Sequence, residues 1–173
     1  NFFDVNDQAG ERITALRVFH DRLGIFKNNS TFTYDEIELK ERIIGVGAYN
    51  NECVQEINDS LYTICPNGIF ETNLFSAKQI GEPVREYWDF FSPVLDTSIS
   101  PVGRDVFTWT EKDSYFIYLG SVTRPSSMTN VVLEYNTKKG NWVTHTGGFT
   151  NFAHTNTFLA FKFGDSSVNF RHG

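Results

Sequence analysis

Positive charge is scarce in this sequence. Fifteen Lys and Arg stand against twenty-one Asp and Glu, a net charge of −6 and an isoelectric point near 5.2. A nucleic-acid surface needs clustered Lys and Arg to displace counterions, so tight nucleic-acid binding is excluded as an expectation. Long apolar runs are also missing, none approaching the roughly 20 residues of a membrane helix. The chain opens Asn1-Phe2-Phe3, without an initiator Met or a signal-peptide pattern, and is expected to be processed or trimmed. What is present is a core. The 173 residues are 40% hydrophobic and 21% charged, too apolar for a disordered chain and enough for one domain or a piece of a larger one. Seventeen Phe, seven Tyr and three Trp, with thirteen Gly and many Thr, Asn and Ser, suit pleated sheets joined by tight turns.

Cysteine is limited to Cys53 and Cys65, which flank Ile57-Asn58-Asp59-Ser60. With Asn58-Asp59 as a two-residue hairpin loop, Ile57 pairs with Ser60 and Cys53 falls opposite Ile64, which keeps the thiols on different faces. A three-residue loop would set them opposite each other. The shorter loop, the commonest hairpin connection, is the expectation, with both thiols free and synthesis in a reducing compartment. The sequons at Asn28, Asn29 and Asn58 fall in these turns and read as turn chemistry.

Short alternating runs separated by polar pairs recur along the chain. Residues 13–19, 22–27 and 30–35 form one meander around His20-Asp21 and Asn28-Asn29. Residues 52–57, 60–65 and 69–72 form a second, and 105–110, 114–119, 131–135 and 141–145 a third. Residues 149–153, 157–163 and 167–171 form a fourth. Their first turns lie near positions 21, 59, 112 and 156, spacings of 38, 53 and 44. A self-similar antiparallel unit of this size is the signature of β-propeller blades, here about 11–40, 50–80, 103–146 and 149–173. The long interval holds an insertion, 81–103, with Pro83, Pro93 and Pro101. Within it Val84, Tyr87, Trp88 and Phe91 follow the i, i+3, i+4, i+7 pattern of one short amphipathic helix. The expected fold class is therefore all-β: about four antiparallel meanders with one short helix in an insertion. The first and last meanders each show three strands, so Phe26, Phe32, Phe158, Phe161 and Phe163 are expected to be partly bare without further protein.

The run ITALRVFHDRLGIFKNNSTFTY resembles a line that recurs in the tail propellers of short-tailed bacteriophages, and VQEINDSLYTICPNGIFET resembles the blade that follows it there. DVFTWTEKDSYFIYLGS with NVVLEYNTKKGNWVTHTGG is similar to the next blade, and NTFLAFKFGDSSVNFR to the one after. In order, these lines cover about 110 of the 173 residues; Cys65, Pro66 and the Pro-rich insertion have no counterpart. The resemblance implies a virion structural protein of the nozzle, muzzle or hub. It would be a fragment or processed part of a propeller beside the DNA-ejection conduit, made in the host cytoplasm and carried in the tail. It also implies tail or portal-proximal partners and a symmetric homo-oligomer.

Catalytic constellations are weak. His20, His145, His154 and His172 lack metal-ligand spacing and read as surface or turn residues. There is no Gly-x-Ser-x-Gly elbow and no Gly-rich phosphate loop. Asp4, Asn6 and Gln8 alternate as in a calcium loop, but the closing position holds Ala15 instead of a bidentate Glu. Asp105, Glu111, Asp113 and Glu134 could supply a glycosidase carboxylate pair only at the right separation in space. Trp88, Trp109 and Trp142 could stack on sugars, yet their places on a helix stripe and in strands favour core packing. No catalytic residue, metal or cofactor is expected. A carbohydrate-binding or depolymerising propeller is the alternative to the tail module.

Overall fold

The computed structural model describes residues 12–35, 38–88, 106–122, 128–146, 149–154, 158–163 and 166–171. They form four antiparallel sheets, each strand hydrogen-bonded to the next in sequence. Sheet A is β1 (Ala15–Phe19), β2 (Arg22–Phe26), β3 (Ser30–Tyr34) and β4 (Leu39–Ile44). Sheet B is β5 (Val54–Ile57), β6 (Ser60–Cys65), β7 (Gly68–Thr72) and β8 (Ala77–Gln79). Sheet C is β9 (Phe107–Glu111), β10 (Ser114–Val122), β11 (Met128–Asn136) and β12 (Asn141–His145). Sheet D is β13 (Phe149–His154), β14 (Phe158–Phe163) and β15 (Ser166–Arg171). The all-β class is as the alternating pattern implies.

The first hairpin of sheets A, B and C closes through a two-residue loop, pairing Phe19 with Arg22, Ile57 with Ser60, and Glu111 with Ser114. His20, Asn58 and Lys112, the first loop residues, have φ of 52, 47 and 53°, and Asp59 has 65°. Positive φ at such loops lets the turn follow the right-handed twist of its strands, and Asn and Asp tolerate it best. The β5–β6 register, Val54 opposite Thr63 and Ile57 opposite Ser60, is that of the two-residue loop, and both cysteines are free and buried.

Two strands escape the sequence pattern. β4 reads Leu-Lys-Glu-Arg-Ile-Ile, its charges breaking the alternation, and β8 has three residues, all exposed. Both are outermost in their sheets, where charge and brevity protect an edge. Sheet A thus has four strands, not three. The expected bareness of Phe26 and Phe32 is also overturned, at 0% and 5% exposed. The side chains of Phe158, Phe161 and Phe163 lie outside the described residues, as does the backbone of residues 1–11. The insertion helix begins as a 3-10 turn, Glu82–Val84 with Pro83 inside it, and continues as α1 (Arg85–Trp88). Its expected extension to Phe91 lies outside the described residues.

One apolar core runs through sheets A, B and C. It joins Phe19 and Phe26 to Val54, Leu61, Ile64 and Ile69, and these to Tyr115, Ile117 and Leu133. Tyr62 lies 5.6 Å from Tyr115 and 6.1 Å from Tyr135, and Trp142 lies 5.0 Å from Tyr135, so aromatic rings fill the space between B and C. The connector from A to B is threaded by hydrogen bonds. The Thr31 hydroxyl donates to the Val46 carbonyl at 2.8 Å, Thr63 to that of Gly47 at 2.8 Å, and the Ala48 amide to that of Lys27 at 2.9 Å.

Gly47 permits this closeness. A Cβ there would stand 2.0 Å from the Lys27 carbonyl oxygen and 2.5 Å from that of Asn28, both backbone atoms. Gly47→Ala should therefore cost about 3 kcal/mol or more, read as a lower denaturant midpoint with an unchanged slope. The thiols offer a second test. Burial pushes Cys53 up to about 12 and raises Cys65 as well, so neither is ionised at neutral pH. An aromatic disulfide reagent at pH 8 should find no fast thiol in the native protein and two after denaturation without reductant.

Candidate functional site

The first hairpin turns of sheets A, B and C are linked in series, each turn bonded to the next by side chains. Two hydrogen bonds repeat at each junction. Between A and B, His20 Nε2 lies 3.0 Å from Asp59 Oδ1, and Arg17 Nε donates to the Val54 carbonyl at 3.0 Å. Between B and C, Asn58 Nδ2 donates to Asp113 Oδ1 at 3.1 Å, and Gln55 Nε2 to the Thr108 carbonyl at 3.0 Å. In both cases the donors are the first turn residue and the residue three before it. The acceptors are the aspartate at the second turn position of the next sheet and the carbonyl four before its turn. Asp21, Asp59 and Asp113 hold that second position in A, B and C.

Asp113 is the most heavily bonded carboxylate of this rim. Lys138 Nζ approaches Oδ2 at 2.9 Å while Asn58 holds Oδ1 and also reaches the Thr137 hydroxyl at 3.1 Å. The bonds from Lys138 and Asn58 hold its carboxyl below the usual aspartate value.

Between A and B the rim opens into a cleft of about 330 Å³. Phe19 and Leu74 form its apolar floor, the His20–Asp59 pair one wall and Phe75 the other, with the Arg22 guanidinium 4.6 Å from the centre of the Phe75 ring. Phe75 is 46% exposed. Leu74 has φ 71°, a strained value for a leucine. The Thr72 hydroxyl accepts from its amide, and Asn73 Oδ1 accepts from the amides of Phe75 and Ser76, which fixes the turn. The strain turns the Leu74 side chain into the space that Gly24 of sheet A leaves, where a Cβ would meet Leu74 at 2.7 Å.

The candidate carboxylates are dispersed. Asp105 lies outside the described residues, Glu111 is exposed, and Asp113 belongs to the rim. Glu134 lies between Ser114, whose hydroxyl donates to Oε1 at 2.8 Å, and His145, whose Nε2 is 2.9 Å from Oε2. His145 is thus a strand residue paired with a carboxylate rather than a free surface histidine. Nucleophilic catalysis requires the histidine to contact the serine, and here the carboxylate separates them. Among the described residues no group of three or more His, Cys, Asp or Glu could hold a metal. His154, His172 and the Asp4–Gln8 run have no described side chains.

Trp109 is buried and stacks on Phe116 at 5.0 Å, and Trp142, partly buried, donates Nε1–H to the Ile80 carbonyl at 2.8 Å. Both fill space between strands or sheets, as expected for core packing; the Trp88 side chain lies outside the described residues. Arg22, Phe75, Arg17 and Gln55 have no sequence signature of their own. The three turn aspartates do: aligned on their first turns, the meanders place Asp21, Asp59 and Asp113 in one column.

No protein-family model and no curated protein matches this sequence. Among solved structures, the chain is similar to the extracellular domain of a hybrid two-component system from B. thetaiotaomicron, with TM-score 0.56 and 14% identity. The match covers 96% of this chain and 21% of that one. It is also similar to the computationally designed Ika4 protein, with TM-score 0.51 and 7% identity over 96% of this chain and 95% of that one. At these identities the likeness is one of fold alone.

The depressed Asp113 carboxyl sets a sign for acid sensitivity. Its contribution to stability is fully present above the unfolded value near 4 and is lost as pH falls through the lower folded value. Asp113→Asn should flatten part of the loss of stability below pH 4 and leave the neutral-pH slope unchanged, as read by urea midpoints across the pH range.

Proposed function

We propose that this chain is a structural module of a short-tailed phage tail, a set of propeller blades near the DNA-ejection conduit that works by packing rather than by catalysis. The observation that carries the non-catalytic part is the use made of the polar rim. Its histidine, amides, guanidinium and carboxylates join one sheet to the next and converge on no common reacting point. The assignment to a tail rests on the four lines of sequence that resemble tail propellers in order. On this reading the module is non-enzymatic, needs no cofactor, binds tail or portal-proximal proteins, joins a symmetric ring of copies and resides in the virion. No described helix is long and apolar enough to cross a membrane.

The cleft between sheets A and B favours a second reading, recognition of a host-surface carbohydrate. An exposed aromatic edge beside Arg22, Asp59 and Asn73 suits a ring with one apolar face and hydroxyls around it. The two readings diverge in one comparison, in which purified chain is mixed with tail and portal components in a pull-down and applied in parallel to a glycan array. The tail module should be retained by the virion components and leave the array blank. Binding on the array that Phe75→Ala reduces by about tenfold or more would establish the carbohydrate reading in its place.

A further inference from the structure

We propose that the outer face of β1 in sheet A is an acceptor surface for a sheet of a second copy of this chain, docked as A docks on B and B on C. This deepens the assembly reading above and rests on it. In the paired rim bonds of both junctions the donors are on the earlier sheet and the acceptors on the later. Sheet A supplies its donors, Arg17 and His20, to sheet B. It also carries the acceptor set that B and C offer to the sheets before them. Asp21 stands where Asp59 and Asp113 stand, and the Leu16 carbonyl stands where those of Val54 and Thr108 stand.

The burial of equivalent positions indicates that this acceptor surface is open. Val54 and Thr108, each four residues before its turn, are 0% and 1% exposed, whereas Leu16 at the same position is 48% exposed. Val18, two residues further on the same face, is 71% exposed. Asp21 is exposed in the turn that follows β1. Leu16 and Val18 are exposed aliphatic side chains on this strand, and association that covers them removes apolar surface from water.

The geometry also specifies the occupant. It must place a donor side chain at a hairpin turn, against Asp21, and a longer polar one three residues earlier, against the Leu16 carbonyl. It must also bring an apolar side chain against Leu16. Among the described residues, sheets A, B and C are built to this plan, and they leave Leu16 exposed. A second copy brings the same construction in a second molecule. A head-to-tail contact of this kind is heterologous, so it builds rings or open stacks rather than isolated face-to-face pairs.

Sedimentation of the full chain between 1 and 100 µM tests this. The wild-type protein should associate reversibly. Asp21→Lys and Leu16→Glu, both at exposed positions, should each weaken association by about tenfold or more while leaving the circular dichroism spectrum and the melt of the dilute protein unchanged. Lys78→Glu, on exposed β8, should have no effect. Hydroxyl-radical footprinting of the wild-type chain, which needs no variant, should show Leu16 protected as concentration rises. A wild-type chain that stays monomeric at 100 µM overturns the proposal. So does association that neither substitution weakens, or that leaves Leu16 unprotected; in those last two cases assembly itself survives and only this face is excluded.

Discussion

A four-stranded antiparallel sheet has two faces, and a chain of short meanders can cover them only by laying one sheet on the next. In this protein that need is met where the sheets come closest, along their first strands. The contacts there are short polar bonds at fixed places, a turn side chain onto an aspartate and a strand side chain onto a carbonyl. Apolar burial supplies the drive for stacking, but it is non-directional and would tolerate many rotations of one sheet over another. The paired bonds, three residues apart on the donor side and five on the acceptor side, remove that freedom. Each polar group also finds a partner at the edge of a core where an unpaired one would be costly.

The same division between drive and direction explains the strained places. Among the described residues other than glycine, left-handed backbone occurs at His20, Asn58, Asp59, Leu74 and Lys112, and each of these five is in a hairpin turn beside a junction. For Asn and Asp such a backbone costs little. For Leu74 it costs more, and what offsets it is the seat of its side chain against Gly24 of the facing sheet. Glycines 24 and 47 have a common role seen from this side. Each leaves out a side chain so that a neighbouring segment can come close, Leu74 in one case and the Lys27–Asn28 backbone in the other.

How much of this can be read from the sequence depends on the range of the interaction. Hairpins with two-residue loops depend on local chemistry, so His20-Asp21 and Asn58-Asp59 mark the loops correctly, and the register at Asn58 keeps Cys53 and Cys65 unbonded. Strands whose identity depends on position in the sheet are not legible. β4 is too charged and β8 too short and exposed to carry a period-2 pattern, because an outermost strand answers to solvent as much as to the core. The rim was half legible. The column of aspartates is visible once the meanders are aligned, but the donors Arg17, His20, Gln55 and Asn58 share only their offset from the turn and not their chemistry. Neither Arg22 nor Phe75 announces a cleft, since a cleft between sheets is a property of the junction. Glu134 and His145 pair across strands eleven residues apart, which no local pattern reports.

The placement of the polar bonds has a geometric consequence for the angle between neighbouring sheets. Held together along their first strands, two sheets act as leaves on a hinge, and the opening of the hinge is set by what stands between their outer strands. Leu74 wedges A from B, and Trp142, bonded to the Ile80 carbonyl, wedges B from C. Side-chain volume at these two places therefore translates into degrees of rotation per sheet. A larger wedge opens the angle between two neighbouring sheets and a smaller one closes it, with the bonds along the first strands unchanged. That angle can drift by single substitutions away from the first strands while the pairing between sheets stays the same.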